Sequence, residues 1–300
     1  MSHDATHSAA SETKSPYTGL RPFEPHEAAL FFGRADQIEG MLARLETNRF
    51  LAVVGASGCG KSSLVRAGLL PALADGFLMG AGNDWRFVIA RPGDAPFANL
   101  AQAIVASVDG PQLLAPPAES GKALAAGITS DAVGKRPVAS AIPLNVSATP
   151  QTPPDASPDP YQLALVEFAL RGSRDGLADA FAQFEIPSTT SVLVLIDQFE
   201  ELFRFRDLAR RDKGADLYES RNEAMAFVDL LLQSLKQTDR RVFVIITMRS
   251  DFMGDCDAFP GLPDVISDSQ FLAPRMLRQE LSEAISGPLE GRSGASAGIL

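Results

Sequence analysis

The clearest chemistry in this sequence lies in one short run, Gly55-Ala56-Ser57-Gly58-Cys59-Gly60-Lys61-Ser62, a complete G-x-x-x-x-G-K-S pattern. Glycines let a backbone wrap closely around a phosphate with its amide hydrogens turned inward. A helix starting at Lys61 would present its positive N-terminal end to the same anion. Lys61 can then reach β- and γ-phosphates, the Ser62 hydroxyl can ligate Mg²⁺, and Ser63 completes the nucleotide-contacting set. The context fits, with the apolar run Phe50–Val54 before the glycines and an amphipathic stretch, Lys61–Leu70, after them. Pro71 is expected to bend or end that helix. Cys59 stands at a free position of the pattern and reads as a tolerated small residue rather than a redox switch.

Hydrolysis at such a site needs a carboxylate on a neighbouring strand to hold the metal. Asp197 follows the uninterrupted run Val192–Ile196 directly, where that group belongs. Many ATPases place a water-activating Glu immediately afterwards, but position 198 is Gln and the acids come at Glu200 and Glu201. Glu200 is the first choice for polarising an attacking water and Glu201 the second. The alternative is that both are helix-start acids facing solvent. A third apolar run ends Thr247-Met248-Arg249-Ser250-Asp251. Its arginine could report a γ-phosphate, since guanidinium geometry suits that anion, or could pair with Asp251 or Glu200 instead.

These residues need a frame to bring them together, and the remaining pattern supplies one. Helical spacing marks 35–46, 95–107, two pieces after Asp159-Pro160 that part near Gly172, and Ala224–Leu235. Apolar strand-length runs occur at 85–91, stopped by Pro92-Gly93, and at 242–246, with a short last strand at 270–272 and a final helix carrying Leu277, Leu281 and Ile285. Alternating strands and helices imply an α/β fold, a three-layer core around a mostly parallel sheet. Residues 1–16, with His3 and His7, read as a flexible tail. Ten of the 21 prolines fall between 109 and 160, where no aromatic residue occurs, so 109–159 reads as a Pro/Ala-rich flexible insertion, with a small helix near 121–127 as the alternative.

Composition narrows the function classes. The 37 acidic and 27 basic residues leave a net charge of −10, which argues against a nucleic-acid or anionic-membrane binder. The basic segment Arg204, Arg206, Arg210, Arg211 and Lys213 is interspersed with Asp207 and Asp212 and reads as a solvated face. Two cysteines cannot by themselves make a disulfide framework or a zinc site. The first residues lack an apolar signal core, and the longest apolar runs fall far short of the roughly 20 residues that span a bilayer. A reducing cytoplasm is the expected setting.

Taken together, the motifs resemble the STAND class of signalling P-loop NTPases, related to the AAA+ ATPases, and specifically the novel STAND NTPase 1 group. Four blocks carry the likeness: Tyr17–Phe23 through Phe31-Phe32-Gly33-Arg34, the phosphate loop GASGCGKSSLVRAGL, LVLIDQFEELF, and VIITMRSDF. The resemblance implies that Gly33 and Arg34 lie near adenine and ribose, although the residues alone make Arg34 a surface cation. It also implies a catalytic acid three residues after the metal Asp, favouring Glu200, and a strand-end arginine matching Arg249. It divides the chain into a core over 17–273 and the start of a helical arm over 274–300. Assembly through the nucleotide domains and a C-terminal sensor or repeat module are further implications. Since the arm has barely begun at residue 300, a piece of a longer switch protein, or one lacking its output module, is expected.

The leading expectation is an ATP- and Mg²⁺-binding, slowly hydrolysing molecular switch. A nucleotide-binding regulator or scaffold without turnover is the alternative, favoured by Gln198. A GTPase is disfavoured because no Asn-Lys-x-Asp guanine reader occurs, Asp212-Lys213-Gly214-Ala215-Asp216 being a partial mimic only. A transporter ATPase would need an LSGGQ-like signature, which is absent.

Overall fold

Short runs rich in Val, Ile and Leu form the centre of the protein: β1 (Phe50–Gly55), β2 (Trp85–Ala90), β3 (Ser191–Ile196), β4 (Val242–Arg249) and β5 (Gln270–Leu272). The structure, a computed structural model, describes residues 15–109, 159–204 and 217–296. The tail, the Pro-rich insertion and most of the Arg-rich segment lie outside the described residues.

The five strands pair in the order β2-β3-β4-β1-β5, and every pairing is parallel. Side chains alternate across a strand, so each strand feeds two faces. Leu51, Val53, Leu193, Leu195 and Ile245 point into one apolar layer, while Ala52, Val54, Val192, Val194, Val244 and Ile246 point into the other. Both layers are sealed by helices, which explains why β3 reads as an unbroken apolar run rather than an alternating one. The first layer is closed by α1 (Ala35–Thr47) and by the helix after the glycine loop. The second is closed by α4 (Pro96–Asp109), α5 (Pro160–Gly172), α6 (Gly176–Ala182), α7 (Leu217–Ser234) and α8 (Leu262–Ser269). At the start of α5 the Asp159 side chain accepts from the Tyr161 amide at 3.0 Å, the cap that the Asp-Pro pair announces. The expected three-layer α/β core is present.

Of the two outcomes expected at Pro71, a bend or an end, the end does not occur, and the helix from Lys61 continues past it. It runs as α2 (Lys61–Ser63), a π-helical stretch (Leu64–Leu69) and α3 (Leu70–Ala74). A proline cannot accept the regular α ladder behind it, and the wider π turns that precede Pro71 absorb the mismatch. The expected last helix is present as α9 (Arg278–Ser296), and its Leu281, Ile285 and Leu289 are exposed. Among the described residues no helix is long and apolar enough to cross a membrane.

Because all strands run the same way, their C-terminal ends share one edge, where open parallel sheets bind ligands. The lead-in segment before α1 wraps towards that edge. It holds a 3₁₀ turn (Pro25–Leu30), fixed by Glu27, whose carboxylate accepts from the Glu24 amide at 2.9 Å. Arg21 grips the same carboxylate with both arms, at 2.6 and 2.5 Å.

That grip, with burial opposing it, lowers the Glu27 carboxyl from its ordinary 4.5 to about 2. A depressed folded-state value means that the contribution is complete above pH 4.5 and is lost as pH falls towards 2. Glu27→Gln should therefore lower the melting temperature at pH 7, with the gap to the wild type closing as acid melts are taken down through this window. A gap that stays constant with pH would contradict the assignment.

Candidate nucleotide site

The glycine loop leaves β1 at Gly55 and enters α2 at Lys61. Gly58 and Gly60 adopt φ of 73° and 90°, in the left-handed region that side chains rarely occupy, and nothing among the described residues lies within 4 Å of where a Cβ would be. The bend is thus both reversed and uncovered, as a phosphate cradle must be. Lys61 Nζ donates to the carbonyls of Gly55 and Ala56 at 3.0 and 2.9 Å, which holds the ammonium across the bend. The half-buried Cys59 packs towards Gly55, and a Cβ at 55 would lie 2.8 Å from its sulfur and 3.0 Å from the Ala273 carbonyl oxygen, so a side chain there would force its neighbours to shift. Ala56 and Ser57 line the exposed rim between them.

Asp197 leaves β3 at the same edge and has no solvent exposure. β4 lies between β1 and β3, so the aspartate must bridge two strand spacings, about 10 Å, to meet the loop helix. Two hydroxyls close the gap on one carboxylate oxygen. Ser62 Oγ donates to Asp197 Oδ1 at 2.7 Å, and Thr247 Oγ1 of β4 donates to it at 2.6 Å. The other oxygen, Oδ2, accepts a hydrogen bond from the Arg66 guanidinium at 2.9 Å, and the half-exposed Arg91 lies 3.9 Å from it. Strand register makes this meeting possible, because Ile196 pairs with Ile246 and Val53 with Thr247.

The chain turns sharply after Asp197. Gln198 has φ 61°, the one non-glycine with positive φ among the described residues, and its amide donates to Thr247 Oγ1 at 3.0 Å. This turn sends Phe199 into the core and leaves Glu200 with 7% exposure. Glu200 Oε2 is buried with no hydrogen-bond partner among the described residues, a costly arrangement for an acid. Glu201 has a partner, since its Oε2 accepts from the Gly93 amide at 3.2 Å and so anchors the turn after β2. Arg249 pairs with Asp251 and lies over the Phe252 ring at 5.7 Å, the ion pair that the sequence offered as the alternative.

Arg34 corrects a reading from the residues alone. It is not a surface cation. It is 6% exposed, and its guanidinium spans the Cys59 carbonyl at 3.0 Å and the Pro274 carbonyl at 2.9 Å, joining the glycine loop to the exit of β5. Gly33 has φ 76°, and a Cβ there would lie 2.2 Å from the Glu280 carbonyl of α9. Ser63 turns its hydroxyl to the lead-in segment, accepting from the Phe23 amide at 3.1 Å.

Glu24, Arg66, Arg91 and Thr247 were not singled out from the sequence. The one available signal was spacing, because Arg66 follows Ser62 by four residues and a helix places both on one face.

The Asp197 carboxylate and the Ser62 hydroxyl offer oxygen atoms, the kind a hard divalent cation prefers. Among the described residues no group of three or more His, Cys, Asp or Glu side chains is placed to hold a metal. Mg²⁺ needs none, since it is usually held by one or two carboxylates with phosphate oxygens and waters. The residues present therefore fit Mg²⁺ on a nucleotide, with Ser62 and Asp197 as its protein partners.

The sequence model of the family described as novel STAND NTPase 1 matches residues 16–296. The chain belongs to the novel STAND NTPase 1 family. Comparison with curated proteins and with solved structures returns no match. Membership makes the chain a nucleotide-binding NTPase of STAND type.

Within this STAND NTPase, Gly33 carries a directly testable packing role. Gly33→Ala combines a left-handed backbone with a clash against Glu280, and should cost about 2–4 kcal/mol of stability in denaturant melts. An unchanged midpoint would show that α9 does not press on the lead-in segment as described.

Proposed function

We propose that the protein is an ATP-binding molecular switch that hydrolyses ATP slowly, its nucleotide state controlling conformation or assembly. The observation that carries this reading is the Ser62–Asp197–Thr247 cluster, because it puts a hydroxyl and a fully buried carboxylate on one spot beside the cradle. Bound Mg²⁺ would neutralise charge on the phosphates and help orient them. In this reading the loop amides and Lys61 bind the triphosphate, and Glu200 takes a proton from the water that attacks the γ-phosphorus. The bond to the β-bridging oxygen breaks, giving ADP and phosphate. Arg249, released from Asp251, is the candidate γ-phosphate sensor. Gly33 and Arg34 stand beside the base and ribose, and Arg34 would then pass the state of the loop to the β5 exit. Two free cysteines and the family membership are compatible with a cytoplasmic role in signal transduction, with self-assembly through the nucleotide core and with a sensor or repeat module as partner.

A regulator that holds nucleotide without turnover is the second reading. The observation favouring it is Gln198, a non-acid fixed in a strained turn directly after Asp197.

Lys61→Ala should abolish nucleotide binding in a calorimetric titration, and retained affinity would refute the site. Glu200→Gln should leave ATP binding intact and lower phosphate release by about 10²-fold or more. Undiminished release would remove Glu200 from the role, and no release from the wild type would favour the second reading. ATP, not GTP, should win in competition.

A further inference from the structure

Arg66 lies one turn along the loop helix from Ser62 and has no part in the scheme above. Its two terminal nitrogens go to different carboxylates. One donates to Asp197 Oδ2 at 2.9 Å, the other to Glu24 Oε1 at 2.7 Å. Its Nε is buried without a partner among the described residues, so the guanidinium sits where the two carboxylates are, at the expense of its own third donor. The two ends of this bridge differ in kind. Asp197 is wholly buried, whereas the Glu24 side chain is one-third exposed and belongs to the lead-in segment. That segment touches the loop helix a second time, where the Phe23 amide meets Ser63.

We infer that Arg66 is a positioning residue that couples the metal carboxylate to the lead-in segment, so that the charge at Glu24 sets how tightly Asp197 supports a divalent cation. A guanidinium shared between two carboxylates neutralises each only in part. With both acids in place the trio carries one net negative charge, and Asp197 keeps attraction for a cation. Removing the Glu24 charge commits Arg66 to Asp197 and weakens that attraction. Removing the Arg66 charge strengthens it. The geometry fixes which oxygen is involved: Arg66 takes Oδ2, while Ser62 and Thr247 hold Oδ1, so the carboxylate plane is set from both sides. Arg91, farther off at 3.9 Å and half exposed, adds a weaker charge that does not reach Glu24 in the described contacts.

The inference rests on the nucleotide reading of the site, and the test separates the two. The full chain is titrated with a fluorescent ATP analogue in EDTA and over a series of Mg²⁺ concentrations, and the Mg²⁺ concentration giving half of the metal-dependent change in binding is read. Glu24→Gln should raise that midpoint about three- to tenfold, a size suited to one partly exposed charge, without altering affinity in EDTA. Arg66→Gln should move the midpoint the opposite way. In Arg66→Lys, whose single ammonium cannot span both carboxylates, adding Glu24→Gln should produce little further shift. A purely structural bridge would not give opposite signs. ATP binding whose Mg²⁺ midpoint ignores Glu24→Gln, or shifts equally in the Arg66→Lys background, overturns this inference alone. Nucleotide that fails to bind the wild type with or without Mg²⁺ overturns the nucleotide reading and this inference with it. If Arg66→Gln does not fold, the Glu24→Gln shift in the wild-type and Arg66→Lys backgrounds still decides.

Discussion

A carboxylate with no access to water must be compensated by the protein around it, and Asp197 is compensated from three directions. A serine of the loop helix, a threonine of the next strand and an arginine one turn further along the helix all converge on it. Each donor belongs to a different constraint. Ser62 is placed by the glycine loop, Thr247 by the register of β4, and Arg66 by helical spacing. A one-residue slip of β4 would turn Thr247 to the opposite face and leave the aspartate short of a partner. The buried acid thus ties strand order, register and loop geometry into one requirement.

The same economy governs the outer parts of the site. Arg34 fastens the glycine loop to the segment after β5, and Gly33 lets α9 press against the lead-in segment at van der Waals limits. Tyr17 donates its hydroxyl to the Ile285 carbonyl, and Gln37 donates to Glu280 at 2.7 Å. The N-terminal and C-terminal ends of the described fold therefore meet each other beside the nucleotide edge. Arg34 thus links the glycine loop to the segment before α9, and Ser63 and Arg66 link the loop helix to the lead-in segment. These are packed and hydrogen-bonded contacts, the material from which two-state coupling can be built.

Much of this was legible in the residues. β1, β3 and β4 announce themselves because strands covered on both faces need uninterrupted apolar runs, and the loop motif announces itself because few other uses demand its glycines. Asp197 follows from position alone. What stayed hidden depends on three-dimensional closure. Arg34 looks like a surface cation until the β5 exit brings the Pro274 carbonyl to it. Arg66 looks like a helix-surface residue until β3 delivers Asp197 across β4. Pro71 leaves a bend or an end of the helix open, because the π-helical turns before it leave no mark in apolar spacing. Leu281 and Ile285 mark the last helix by their spacing, but spacing reports a stripe and not what covers it, and both are exposed.

The central claim is that Asp197 and Ser62 hold a divalent cation against a bound triphosphate. Electron–nuclear double resonance on Mn²⁺ with ATP reads this directly, because phosphorus couples to the metal only when both share a site. The account predicts phosphorus coupling and a slowly tumbling, protein-bound Mn²⁺ signal in the wild type, with the bound signal lost in Asp197→Ala. The same protein-bound, phosphorus-coupled Mn²⁺ in Asp197→Ala would contradict it.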